Sequence, residues 1–187
     1  MRISTGGRYG LRLMLDLALY ADQGPVLRQD IAARQDISAE YIAQLIRHLA
    51  KSELVESTMG PGGGYRLGRP ATEIRIGDIF RATEGPIAAV FCVQPGAFES
   101  CRKVDACAAH MLWKGLSKTI EDFLDSITLE DLCLVARQLE SKHGAGCQDA
   151  VDTLVLTVGD LTPLPCSDSQ QTSGTTTQGA PEGNPGE

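Results

Sequence analysis

The chain has 187 residues, 42% of them apolar and 5% aromatic, and carries a net charge of −7. That is room for one core-bearing domain, or one with a small extension. No run reaches the roughly 18 apolar residues of a membrane span. The charged, amphipathic start is no secretory leader, so the expected location is the cytoplasm, where thiols stay reduced and disulfides are rare. Residues 1–81 hold 11 Lys+Arg against 9 Asp+Glu, whereas residues 82–187 hold 6 against 15. A mildly basic first part on an acidic body can still meet phosphates locally.

Residues 7–22 read as a first helix. Leu11, Met14, Leu15, Ala18 and Leu19 recur at helical spacing. Leu11, Leu13, Leu15, Leu17 and Leu19 also alternate as a strand would, but length and the Ala, Leu and Met content favour the helix. Gly24-Pro25 stops it. Residues 27–35 form a short second helix, and Asp36-Ile37 turns the chain. Ser38 is a good N-cap for a third helix over residues 39–51, with Ile42, Leu45, Ile46 and Leu49 as its buried stripe. Tyr41, Gln44, Arg47 and Lys51 fall largely on other faces.

The pattern then changes from period 3.6 to period 2. Residues 54–57 and 64–67 read as two strands joined by Met59-Gly60-Pro61-Gly62-Gly63, a turn of φ-permissive residues. The glycine run lacks the Gly-Lys-Ser/Thr ending of a phosphate loop and opens no helix. Helix, turn, helix, hairpin is the order of a winged, DNA-binding helix-turn-helix. A short helix over 76–84 ends at Gly85-Pro86. A long helix runs from about 106 to 126, with Leu112, Leu116, Ile120, Phe123, Leu124 and Ile127 on one stripe, either a dimer seam or an intramolecular core face. Thr128 and Asp131 form a capping box for a last helix to about 142. From Gly159 the tail is Thr, Ser, Gln, Gly and Pro without an aromatic residue, the composition of a disordered segment. The expected fold is mainly α. A winged helix-turn-helix with a small β-hairpin wing spans 1–84, a metal-binding loop 85–110, and the long dimerisation helix with the C-terminal helix 106–142. A disordered tail covers 159–187.

Cys92, Cys101, Cys107 and His110 lie within nineteen residues, spaced Cys-x8-Cys-x5-Cys-x2-His. Three thiolates and an imidazole at this spacing suit one metal centre better than three unrelated small hydrophobes. The intervening Pro95-Gly96 excludes one continuous helix and leaves a loop able to wrap a metal. Cys107 and His110 share a helix face near a positive helix end that favours an anionic group. Cys3His can hold structural zinc or an iron–sulfur cluster with imidazole in place of one thiolate. Cys133, among Leu132, Leu134 and Val135, reads as core. Cys147, Cys166, His48 and His143 do not read as ligands.

The segments Asp36-Ile-Ser-Ala-Glu-Tyr41-Ile-Ala-Gln44-Leu, Gly60-Pro-Gly-Gly-Gly-Tyr65-Arg-Leu, Phe91-Cys92, Cys107-Ala-Ala-His110-Met-Leu-Trp113 and Ile127-Thr-Leu129 carry a family signature. Over about residues 1–135 the chain resembles the IscR-like iron–sulfur cluster regulators. These belong to a family of dimeric winged-helix repressors that also holds nitric-oxide-sensing and cysteine-metabolism regulators. The resemblance implies a [2Fe–2S] cluster on Cys92, Cys101, Cys107 and His110, a homodimer through the long helix, and binding to a double-stranded DNA operator. It implies repression of cluster-assembly genes when clusters are plentiful, with the cluster-assembly machinery as donor. Zinc, or a [4Fe–4S] cluster of the nitric-oxide-responsive branch, is the alternative. That branch often uses an acidic ligand near position 8, where this chain has Arg8.

On this reading the DNA-binding residues are Ser38, Glu40, Tyr41, Gln44, Arg47 and Lys51 of the third helix, Met59, Gly60 and Arg66 of the wing, and Arg2 and Arg8. Gln44 can read adenine bidentately, and Arg47 can meet guanine or a phosphate. Tyr41 can donate to a phosphate, and Arg2, Arg8 and Arg66 are backbone-contact candidates. Met59 stands where the family often has an arginine able to enter the minor groove. Glu40 and Ala43 replace its usual serine and glutamate, which alters the expected operator rather than the act of binding. Cluster occupancy is expected to order residues 92–110 and thereby bias the DNA-binding heads. An enzyme with a cysteine nucleophile finds no base and orienting group here. A protein-interaction module would lack steep salt-dependent DNA binding.

Overall fold

In a computed structural model the chain is described over residues 4–60, 62–96 and 106–141. Arg2, Cys101, Cys147, Cys166, His143 and the tail from Gly159 lie outside the described residues.

Helix α1 spans Thr5–Leu19 and starts where the Ser4 hydroxyl accepts from the Gly7 N–H at 3.2 Å. The ambiguous leucine alternation resolves as helix, with Leu13, Met14 and Leu17 buried on one face. It ends three residues before the predicted limit, and a 3-10 turn over Ala21–Gln23 carries the chain to Gly24 at φ 90°. Helix α2 spans Arg28–Gln35 and closes on Asp36, which adopts the left-handed conformation at φ 52°. Asp and Asn tolerate this better than most side chains. Helix α3 spans Ala39–Lys51, with the Ser38 hydroxyl accepting from the Tyr41 N–H at 3.2 Å. Its Ile42, Leu45, Ile46 and Leu49 are buried as the spacing predicts.

Strands β1 (Val55–Thr58) and β2 (Gly64–Leu67) pair antiparallel, with Glu56 opposite Arg66 and Ser57 opposite Tyr65. Val26 extends the ladder by exchanging two 2.8 Å backbone bonds with Tyr65. Gly64 is required there, because a Cβ would stand 2.6 Å from the Val26 carbonyl oxygen.

Helix α4 spans Ile76–Glu84, α5 Ala108–Ser126 and α6 Leu129–Ser141. The predicted capping box of α6 is formed. The Thr128 N–H donates to Asp131 Oδ2 at 2.9 Å, and the Asp131 N–H to the Thr128 hydroxyl at 3.1 Å. Helix α4 packs on α1, α3 and α5, so it touches both the helix-turn-helix and the long helix. The head core does not stop at Glu84. Leu129 and Cys133 of α6 are fully buried in it, and α6 packs against α1. Two backbone bonds, Ile76 N–H to Ile127 O at 3.0 Å and Leu129 N–H to Ile74 O at 2.9 Å, tie the start of α4 to the α5–α6 junction.

Helix α5 contributes little to that core. Of its residues only His110 and Ser117 are buried, whereas Met111, Leu112, Leu116 and Phe123 of the apolar side are exposed. Among the described residues no helix is long and apolar enough to cross a membrane.

Candidate nucleic-acid interface and metal centre

The four buried apolar residues of α3 fix which side of it meets solvent. Glu40, Gln44, Arg47, His48 and Lys51 are exposed. Glu40, Gln44, Arg47 and Lys51 follow one another at intervals of four, three and four, a single helical face. That face is about the width an α-helix presents in a major groove. Arg47 Nε donates to the Ala43 carbonyl at 3.3 Å, and among the described residues its guanidinium makes no ion pair with a carboxylate. Glu40 sits in the first turn of α3, where its charge suits the helix dipole but repels phosphates.

Tyr41 is half-buried rather than free. Its ring meets Tyr9 of α1 edge-on, with centroids 5.9 Å apart at 90°. The guanidinium groups of Arg8 and Arg12 lie 4.9 and 5.2 Å from the Tyr9 ring centre. Two cations are thus held by one aromatic platform beside the N-terminal half of α3. Arg12 is absent from the residues expected from sequence. Its spacing of four from Arg8 on α1 is the signal that marks it. Arg12 Nε bonds the Gln35 amide oxygen at 2.8 Å, a neutral partner that leaves its charge uncancelled.

Between α3 and the hairpin runs a groove of about 420 Å³ lined by Ala43, Arg47, Ala50, Val55, Ser57 and Tyr65. The wing beyond it is nearly neutral. Arg66 Nε and Nη2 both donate to Glu56 Oε2, at 3.1 and 2.8 Å, so the arginine is held across the strands. Met59 and Gly60 lie at the tip, Gly60 at φ 102°.

The described metal-ligating candidates lie on the turn after α4 and at the start of α5. Cys92 lies in a 3-10 turn over Phe91–Val93 and is half-buried. Cys107 is the N-cap residue of α5, also half-buried, and its carbonyl accepts from the His110 N–H at 3.0 Å. His110 follows in the first turn at 6% exposure. The turn carrying Cys92 packs against α5. The Ala89 N–H donates to the Ser117 hydroxyl at 2.9 Å, which in turn donates to the Trp113 carbonyl at 2.8 Å. Among the described residues no group of three or more His, Cys, Asp and Glu stands close enough to hold a metal ion. Cys107 and His110 share one turn, Cys92 is brought to the same helix, and Cys101 lies outside the described residues. The donor chemistry itself suits a soft or borderline centre, since thiols and imidazole are the ligands of zinc and of iron–sulfur clusters. Cys107 at the positive end of a nineteen-residue helix is placed where negative charge is favoured. Cys133 is different. It is fully buried in the head core, and burial, helped by Glu130, pushes its thiol up to about 11.

Arg81 of α4 ties the head to α5. Its guanidinium bonds Asp125 Oδ1 at 2.6 Å and Glu121 Oε1 at 3.2 Å on α5, and Asp78 Oδ1 at 3.0 Å on its own helix. The Asp125 bond, with Asp78 behind it, raises the Arg81 pKa further and keeps it charged. Arg69, just after the wing, reaches the same Asp78 at 2.9 Å.

Residues 3–134 match the family model Rrf2, described as iron-dependent transcriptional regulator. The chain is 46% identical over 132 residues to the HTH-type transcriptional regulator IscR of Pectobacterium atrosepticum, covering 71% of this chain and 79% of that protein. It superposes on T. potens IscR with a TM-score of 0.59 at 35% identity, over 80% of this chain and 96% of the other. On CymR, the global cysteine regulator of B. subtilis, the TM-score is 0.59 at 38% identity, over 71% and 96% of the two chains.

Proposed function

The chain belongs to the Rrf2 family of iron-dependent transcriptional regulators, and from that premise we propose that it senses iron–sulfur cluster status and represses cluster-assembly genes. That it is a DNA-binding transcriptional regulator, and no enzyme, follows from its relatives. The finer reading assigns a [2Fe–2S] cluster to Cys92, Cys101, Cys107 and His110, with the cluster-assembly machinery as its source. When bound, the cluster supplies a centre that can be oxidised, reduced or lost, and ligation by a histidine makes retention pH-dependent.

One observation carries this reading. Cys92 and the Cys107–His110 turn bracket the excursion between α4 and α5, and α4 also packs on the DNA-facing α3. In the cluster-bound state Cys92 would be drawn toward the first turn of α5. Arg81 would pass any tilt of α5 to α4, and α4 to α3. On the DNA side Gln44 and Arg47 meet base edges, while Tyr41, Arg8 and Arg12 meet the backbone. As a homodimer through α5 the protein presents two such faces to a near-palindromic operator.

Visible and EPR spectra of anaerobically purified protein test the assignment. Brown protein with a [2Fe–2S] signal that changes in His110→Ala is the expected result. Colourless protein with one zinc per chain would sink the cluster reading in favour of structural zinc, and a [4Fe–4S] signature would move the chain to the nitric-oxide-responsive branch. Equal operator affinity of loaded and cluster-free protein would end the sensing claim.

A further inference from the structure

The tip of the wing carries one feature that the charge-based account of DNA binding leaves without a role. Met59 is 94% exposed, more than any other large apolar side chain among the described residues. An exposed methionine alone is unremarkable on a protein surface. Its setting is not. Gly60, Pro61, Gly62 and Gly63 follow it, so Met59 is the only long side chain between the strand ends. Gly60 and Gly62 adopt φ of 102° and 81°. At Gly63 a Cβ would stand 2.9 Å from the Gly60 carbonyl oxygen and would overlap that of Thr58. The Gly63 N–H closes the turn on the Gly60 carbonyl at 2.9 Å. The turn is therefore tight and glycine-rich, with Met59 as its one long, unbranched apolar side chain.

Charge points the same way. The hairpin has two charged residues, Glu56 and Arg66, and these are bonded to each other at 2.8 Å. The wing thus brings no uncompensated cation to DNA. Whatever it contributes to affinity must come from shape and apolar contact. With α3 in a major groove of about 12 Å, the wing reading puts the hairpin that follows on the adjacent minor groove, which is about 6 Å wide. A glycine turn fits that width, and a methionine is among the side chains that wedge between base steps and unstack them.

We propose that Met59 is an apolar wedge that enters the minor groove beside each half-site and selects operators for a deformable step there. The inference rests on the DNA-binding reading above. Pyrimidine–purine steps such as TA and CA unstack most easily, so they are the expected preference under the wing.

The test uses full-length protein and duplexes that it enriches from a random pool. Single 2-aminopurine substitutions across the flanks report unstacking. Wild type is expected to raise the fluorescence at one flanking step. Met59→Ala is expected to abolish that rise and weaken binding about tenfold, the equivalent of burying a methionine. Its salt dependence should stay unchanged, because no charge is lost. Met59→Leu should restore the signal. Met59→Arg should instead steepen the log–log salt slope by roughly 0.9. Met59 is too exposed for these changes to unfold the protein. If Met59→Ala binds the enriched duplexes as tightly as wild type with the fluorescence intact, the wedge is wrong and the DNA-binding reading stands. If no duplex is enriched, both fail.

Discussion

Asp16 is the buried charge on which the first two helices close. Its side chain is 1% exposed and accepts from Arg34 at 2.7 and 2.9 Å and from the Gln35 amide at 2.9 Å, while Arg34 also stacks 4.0 Å over Tyr20. Removing one partner of such a pair leaves an uncompensated charge. Because Arg34 is 30% exposed, solvent recovers part of that loss, and Arg34→Ala is expected to cost about 2–3 kcal/mol in urea unfolding. Cys133 sets a second expectation. Its folded thiol titrates at about 11 against an ordinary 9.0. A raised folded value means stability that is whole below pH 9 and lost as pH climbs toward 11. The loss should total roughly 2–3 kcal/mol, and Cys133→Ala should flatten that limb of the stability–pH curve. At this scale the sequence is most legible where a residue acts on its own neighbours. Ser38 caps α3 and Thr128 pairs with Asp131 because both contacts span three residues. The Asp16–Arg34 pair and the Tyr9–Tyr41 contact were not legible, since each depends on how two helices meet.

Helix α1 lies so close to α4 that two of its residues are specified by the approach. A Cβ on Gly7 would overlap the Glu84 carboxylate and stand 2.9 Å from the Phe80 ring. Glu84 in turn accepts from the Ser4 N–H at 3.1 Å. At Gly10 a Cβ would be 2.7 Å from the Thr83 methyl, and the Thr83 hydroxyl is fixed by the Ile79 carbonyl at 2.8 Å. Gly10→Ala should therefore lose about 1 kcal/mol net in thermal unfolding, the opposite sign from the roughly 1 kcal/mol that helix propensity alone predicts. Element types and most boundaries followed from periodicity and caps. The early end of α1 did not, because the Tyr20 N–H still closes on Asp16 and the last residues tighten into a 3-10 turn. In α6, Cys133 read as core and is buried, but only the fold decides that Leu129 joins it against α1 rather than a partner.

At the scale of the whole molecule, one apolar surface stays uncovered among the described residues. Leu112 and Leu116 are 65% and 41% exposed on α5, with Phe123 one turn and more beyond. In the proposed homodimer they form the seam. Leu112→Asp with Leu116→Asp is expected to yield a monomer by light scattering while the far-UV spectrum is kept, because neither residue belongs to the core. Operator affinity should fall steeply, since one head loses the second half-site. The cysteine spacing made a candidate metal site legible without a fold. The near-neutrality of the wing was not, because Arg66 meets Glu56 only through the register of the hairpin.

The backbone bonds at Ile74, Ile76, Ile127 and Leu129 pin α5 at its far end, directly beside the first residue of α4. The helix is then a lever with its fulcrum at the head and Cys107 near its tip. Nineteen residues make an arm of about 28 Å, so a tilt of roughly 6° at the fulcrum carries the tip about 3 Å. Run in reverse, the same ratio would turn a displacement of a few ångströms at the candidate ligands into a small rotation applied with large mechanical advantage at the base of α4, and it is rotation, not distance, that a recognition helix needs to lose its register in a groove.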